Sequence, residues 1–259
     1  MKPVCLIIGA GAGIGGHVGK RFARDGYHII LSRRSDASGL ENLVKDIVQD
    51  GGSAEGRLLN IVDENAIEDL IHDIEKNSGP IEVVVHNIGA QIGNRRLTDT
   101  SLKTFELGWR LSCFSLFRLA YTVLPLMAQR GKGTLLVTSS TAAQRGNAGQ
   151  HSHAAAMGGR RMLCQSLNAE FASQNIHVAH IVIDGAVDAP DTLGKMLGPK
   201  AFEKLRKDKG SEDGLMLPEH IADTYFHIAQ QHRSVWTHEL DLRSFSDEAW
   251  WNHAVNIEF

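Results

Sequence analysis

The first apolar run of this chain, Val4-Cys5-Leu6-Ile7-Ile8, ends in Gly9-Ala10-Gly11-Ala12-Gly13-Ile14-Gly15-Gly16. Glycines at this density permit a tight turn and let backbone N–H groups approach a pyrophosphate. The helix expected after them adds the partial positive charge of its N-terminus. Gly11-x-Gly13-x-x-Gly16 fits the general dinucleotide fingerprint. A merely structural turn would show the same residues, but this one follows a strand and precedes a helix, which is the confirming context. The next strand, Tyr27-His28-Ile29-Ile30-Leu31-Ser32, delivers Arg33-Arg34. Sites that prefer NAD place an acid there for the ribose hydroxyls, whereas arginine offers charge-assisted bonds to a 2′-phosphate. No Asp or Glu lies between that strand and Asp36. The expected cofactor is therefore NADP(H) in preference to NAD(H); the competing reading is two exposed surface arginines.

These residues need a scaffold that brings strand ends together. Short, nearly continuous apolar runs at 3–8, 27–32, 54–59, 82–86, 133–139, 176–183 and 235–241 read as parallel strands covered on both faces. Helical periodicity lies between them, near 14–25, 39–50, 63–77, 101–129, 153–173 and 218–231. The alternation predicts right-handed crossovers and an α/β fold: one doubly wound Rossmann domain over 1–259, with a parallel sheet of about seven strands flanked by helices. Segment 190–215 breaks the rhythm and carries Lys195, Lys200, Lys204, Arg206, Lys207 and Lys209. It reads either as a substrate lid beyond the carboxyl ends of the strands or as a solvated helix and loop.

Composition narrows the function classes. The chain has 259 residues, 42% hydrophobic and 22% charged, with a formal net charge of −3. That balance suits a globular domain and argues against a nucleic-acid partner. No uninterrupted apolar run approaches the ~18 residues of a membrane span, and no signal-peptide pattern precedes the first strand. Cys5, Cys113 and Cys164 are odd in number, far apart and set in apolar segments, so reduced thiols and a cytoplasmic location are expected. Among 13 histidines only His151-x-His153 is a tight pair, and no metal site is expected.

Further motifs appear in order. Gly9-x-x-x-Gly13-x-Gly15 opens the chain; Asn60-Ile61 follows the third strand, His86-Asn87-Ile88-Gly89 the fourth and Val137-Thr138-Ser139-Ser140 ends the fifth. Gly185 follows the sixth, and Leu217-Pro218-Glu219-His220-Ile221-Ala222 opens a late helix. In this order and spacing the chain resembles the short-chain dehydrogenase/reductase family over nearly its whole length. The resemblance implies that Gly9, Gly13, Ile14 and Gly15 cradle the pyrophosphate and that Asn60 and Ile61 lie beside the adenine. It also implies that Asn87, Gly89, Met157, Gly185 and Val187 contact the rest of the cofactor.

The same resemblance exposes departures. Ser140 matches the active-site serine. The helix-four asparagine aligns with Ser112, and the Tyr-x-x-x-Lys pair with His153 and Met157. The proline before Gly185 is Asp184, and the threonine expected on the carboxamide is Ala189. Tyr27, Tyr121 and Tyr225 lie far from Ser140 in sequence, and no lysine falls between Lys132 and Lys195. A phenol with a pKa near 10 needs a neighbouring cation to work near neutrality; an imidazole at about 6.5 does not. One reading makes His153 the general acid and base, with Ser140 orienting the oxygen of a small carbonyl or alcohol substrate and Ser112 in support. The alternative is a nucleotide-binding redox sensor or scaffold without turnover, His153 and Met157 merely filling space. A minor third is isomerisation or elimination without net redox.

His151, Ser152, Arg145 and the Arg95-Arg96 pair are placed near the pocket and would favour a polar or anionic substrate. His177 and His180 read as structural. The apolar helix-four residues, from Leu107 and Trp109 to Phe117 and Leu119, exceed one core-facing stripe, and Gly158-Gly159 permits close backbone approach. A homodimer or homotetramer is expected. The tail tryptophans Trp236, Trp250 and Trp251 would close the pocket or cover a neighbour.

Overall fold

The computed structural model of the chain describes residues 2–89, 96–210, 213–247 and 249. Seven strands form one sheet in the order β3-β2-β1-β4-β5-β6-β7, all neighbours parallel. They are β1 (Val4–Ile8), β2 (His28–Arg33), β3 (Ser53–Leu58), β4 (Ile81–His86), β5 (Gly133–Ser140), β6 (Ile176–Ile183) and β7 (Glu239–Leu242). The order reverses between β1 and β4, so their carboxyl ends open a crevice. Central strands are buried on both faces, which is why they read as unbroken apolar runs. Helices α1 (Ile14–Arg24) and α2 (Ala37–Gln49) cover one face. Helices α3 (Ala66–Asn77), α4 (Leu102–Arg130) and α5 (His151–Phe171) cover the other. Helices α6 (Pro199–Gly210) and α7 (Pro218–Ala229) complete the fold.

The structure corrects one strand boundary and specifies two further segments. The last strand starts at Glu239 rather than 235, because Arg233–Val235 forms a tight turn and Trp236 lies flat on His177, ring centroids 4.8 Å apart. Within 190–215 the described residues form a turn at Pro190–Gly194 and then α6, in keeping with the helix-and-loop reading. Helix α4 has the length and mean hydropathy (1.5) of a membrane span, although no single run in the sequence suggested one. Half of that stretch lies inside the protein, and its Arg118 pairs with Glu68 of α3 at 2.5 Å, so α4 is a core helix here. A π turn at Arg110–Phe114 interrupts it, as often happens beside functional sites. Trp250, Trp251 and Arg95 lie outside the described residues.

Beneath the crevice the core holds three histidines. His86, His177 and His180 are all at most 2% exposed. Their ring nitrogens meet Ser115 Oγ (2.9 Å), the Thr237 carbonyl (2.8 Å) and Glu239 Oε2 (3.0 Å), in that order. Glu239 also receives Arg161 in a bidentate pair at 2.7 Å, which pins the edge strand β7 to α5. Burial pushes all three imidazoles down, His180 to about 4 and His86 well below the usual range, with the Arg160 charge adding to the effect on His86. Each therefore has a folded pKa below its unfolded value near 6.5, and the unfolded chain binds more protons below that pH. Stability should hold from pH 8 to 7 and then fall from about 6.5 downward, each histidine adding up to about 1.4 kcal/mol per pH unit. A series of urea unfolding curves checks this; equal midpoints at pH 7 and 5 would refute it.

Candidate functional site

The crevice is made by backbone that comes too close for side chains. Gly9 sits at φ +97°, and a Cβ there would fall 2.5 Å from the Asn87 carbonyl oxygen. A Cβ on Gly15 would collide with the Gly9 carbonyl oxygen. Asn87 closes the seam: its Nδ2 donates to the Gly9 carbonyl at 2.9 Å, and its backbone N–H donates to Ile8 at 2.8 Å. Gly11, by contrast, faces open space. The turn thus presents bare backbone to a ligand, the arrangement phosphates require.

Two cavities of about 320 Å³ each meet at this turn and share Gly9, Gly11, Ile88 and Gly89. The first is lined by Arg33, Arg34, Asn60 and Ile61. Arg34 is exposed, Ile61 is buried, and Asn60 is tied to Asp63 by a 2.6 Å bond. The second is lined by Gly13, Ile14, Gly15, Asn87, Ser140, His153, Met157 and Val187. A two-chambered cleft with bare glycine backbone at its middle suits a dinucleotide.

In the second chamber His153, in the first turn of α5, reaches the end of β5: its Nε2 lies 3.1 Å from Ser140 Oγ. Such a pair can share and pass one proton. Met157, one turn further, packs its sulfur 3.9 Å from Ser139 Oγ. Two expected site residues stand apart. Ser112 lies in the π turn of α4, wholly buried, and lines neither chamber; its hydroxyl has no hydrogen-bond partner among the described residues. Gly185 also lines neither, because the chain there turns against Met216. Of the pocket-rim candidates, Ser152 is buried and bonds the Phe105 carbonyl at 3.2 Å, while Arg96 is exposed at a turn.

The residue missed in the sequence is Arg160. It follows Met157 on the same buried face of α5, lines the second chamber and is only 1% exposed. Its guanidinium donates to the carbonyls of Thr138, of Ile88 (2.8 Å) and of Ser112 (3.2 Å). These belong to β5, the segment after β4 and the π turn of α4. Burial pulls its pKa down to about 10, so it remains a cation at neutral pH. The signal was available: an arginine on the buried stripe Ala156, Met157, Cys164 and Leu167 must bring its own partners inside.

Comparison with known proteins agrees with this architecture. A family profile described as short chain dehydrogenase matches residues 3–193. The 7alpha-hydroxysteroid dehydrogenase of Escherichia coli (strain K12) is 28% identical over 200 residues, 77% of this chain and 76% of that protein. The 3-oxoacyl-(acyl-carrier-protein) reductase of Thermotoga maritima is 27% identical over 240 residues, 92% of this chain and 94% of its own. A crystal structure of a short-chain dehydrogenase from Rhodopseudomonas palustris superposes with a TM-score of 0.77 at 29% identity, covering 93% of this chain and 98% of that one. Among solved structures of the same fold, one is a complex with NADPH and another a complex with NADH.

Removing Arg160 would strand three inward-facing carbonyls at the floor of the site. Arg160→Met should destabilise the fold by about 2–4 kcal/mol, with Arg160→Lys recovering part of the loss. Urea denaturation measures both; a Met variant as stable as the parent would show that the guanidinium does not hold these elements together.

Proposed function

The chain belongs to the short-chain dehydrogenase family, and from that premise we propose that it is an NADP(H)-dependent oxidoreductase of a small carbonyl or alcohol. The observation that carries the reading is the 3.1 Å contact between Ser140 Oγ and His153 Nε2 inside the glycine-lined cleft. A nicotinamide dinucleotide held there supplies hydride. Gly13, Ile14 and Gly15 offer backbone to its phosphates, Arg33 and Arg34 face the adenosine end, and Asn60 and Ile61 border the base. In the reducing direction, the Ser140 hydroxyl donates to the substrate oxygen and recovers its proton from His153 Nε2; oxidation runs the same path backward. An imidazole, unlike a phenol, is a residue type that can exchange a proton near neutral pH without a lysine beside it. Met157 then serves as an apolar wall. A polar or anionic substrate and a cytoplasmic setting remain part of the proposal. Leu102, Phe105, Phe117, Tyr121 and Met162 leave a large apolar surface exposed on α4 and α5, which we assign to pairing with a second copy.

His153→Phe should lower kcat by about 100-fold or more while leaving NADPH binding intact, since general acid–base catalysis contributes roughly 10²–10⁴. A steady-state assay on a panel of carbonyl compounds, paired with fluorescence titration of NADPH, measures both. Turnover that survives the change removes His153 from the mechanism. Tight NADPH binding with no turnover of any compound by the parent would instead favour the redox sensor. At the other end of the cleft, Arg34→Ala should weaken NADPH about tenfold and leave NADH unchanged, as expected for one charge-assisted phosphate contact. Equal losses for the two would place Arg34 outside the phosphate site.

A further inference from the structure

The segment after β6 does not stand clear of the glycine turn. A Cβ on Gly13 would come within 2.9 Å of Ala189 Cβ, so Ala189 rests on the turn. Two residues later Asp191 turns its carboxylate onto the same surface. Its Oδ2 accepts from the backbone N–H of Ala12 at 3.3 Å and lies 3.5 Å from Arg33 Nη2; its Oδ1 lies 3.4 Å from Lys195. One internal anion thus engages both a glycine-turn N–H and the first arginine of the adenosine chamber. Carboxylate and phosphate oxygens make the same demands on such donors.

Resting on the cofactor reading above, we propose that Asp191 is an internal competitor for the phosphates of the dinucleotide and sets the affinity and 2′-phosphate discrimination of the cleft. Arg33 also meets Asp36 at 3.0 Å, but Asp36 has a second duty: its Oδ1 accepts from the Gly39 N–H at 2.9 Å and caps α2. Asp191 has no comparable structural task, since its other partner, Lys195, lies on its own segment. Its three contacts of 3.3–3.5 Å are long and partly exposed, so each is weak. A ligand bearing several phosphate charges can displace them, and its apparent affinity is reduced by the fraction of molecules in which Asp191 covers the turn. The phosphorylated cofactor pays more, because Arg33 must exchange a carboxylate for the 2′-phosphate.

Calorimetric titration of NADPH and NADH into the parent, Asp191→Asn and Asp191→Ala tests the proposal, with hydrogen exchange of the ligand-free proteins run alongside. Both variants should bind NADPH about tenfold more tightly than the parent and gain less for NADH, and the Ala12 amide should exchange faster in each. A parent that binds NADPH as tightly as, or more tightly than, both variants overturns the proposal. Failure of all three proteins to bind either dinucleotide overturns the cofactor reading itself. The exchange data then still decide whether Asp191 covers the turn: faster exchange of Ala12 in the variants supports the contact, and equal exchange overturns it.

Discussion

The close approach of β1 and β4 at their carboxyl ends is the constraint on which the site depends. Gly9 adopts a backbone conformation that L side chains rarely reach, and the Asn87 carbonyl occupies the space where its Cβ would be. Asn87 then ties the two strand ends together through the Gly9 carbonyl. Because the sheet order reverses between these strands, the helices that follow them depart to opposite faces and leave a cleft. Both chambers meet on this seam. The Arg33–Arg34 chamber on one side and the Ser140–His153 pair on the other are therefore set by one backbone junction rather than by two independent pockets.

Charge in the second chamber follows from what α5 buries. A cation is present, but Arg160 holds it below the surface and uses it to join carbonyls from three elements. No ion pair of Arg160 with a carboxylate is found among the described residues; the carbonyl dipoles make the burial tolerable. A guanidinium whose two terminal nitrogens are engaged by carbonyls in this way, with its Nε partnerless among the described residues, stabilises the floor and contributes little directional help to a proton donor. Met157, nearer the chamber, contributes no charge. A donor in this setting must bring its own suitable acidity, and imidazole does so where phenol would not. The exchange of residue types at 153 and 157 is then one coupled change.

Much of this could be read from residues alone. The glycine turn, the paired arginines, Asn87 and the seven apolar runs each carry a local rule, and local rules survive folding. What escaped was relational. Nothing near Ser112 indicates that a π turn rotates its hydroxyl away from the chambers, since that depends on how α4 packs. Gly185 matched a motif, but Met216 from a later segment decides which way the chain faces there. Asp191 carries no local signal in the sequence; only the fold brings it against Ala12, 179 positions away. Arg160 differs, because its place on a buried helical stripe was legible and was overlooked beside the more conspicuous change at Met157.

An imidazole reaches less far than a phenol, which bears on the mechanism proposed for His153. A phenol extends far enough from its backbone to meet a substrate oxygen directly, and an imidazole does not. In this structure the imidazole has only to meet Ser140, and at 3.1 Å it does. A serine hydroxyl carries one proton and two acceptor lone pairs, so it can accept from Nε2 while donating into the chamber. The missing length is supplied by the serine that was already there. On the proposed mechanism the cost is order: proton transfer would require both links to be aligned at once, which depends on α5 keeping its first turn against the end of β5. The buried Arg160, bonded to the Thr138 carbonyl two residues before Ser140, holds that helix and that strand together. On the proposed mechanism the cation would thus serve the proton path through position, where elsewhere a lysine would serve it through charge.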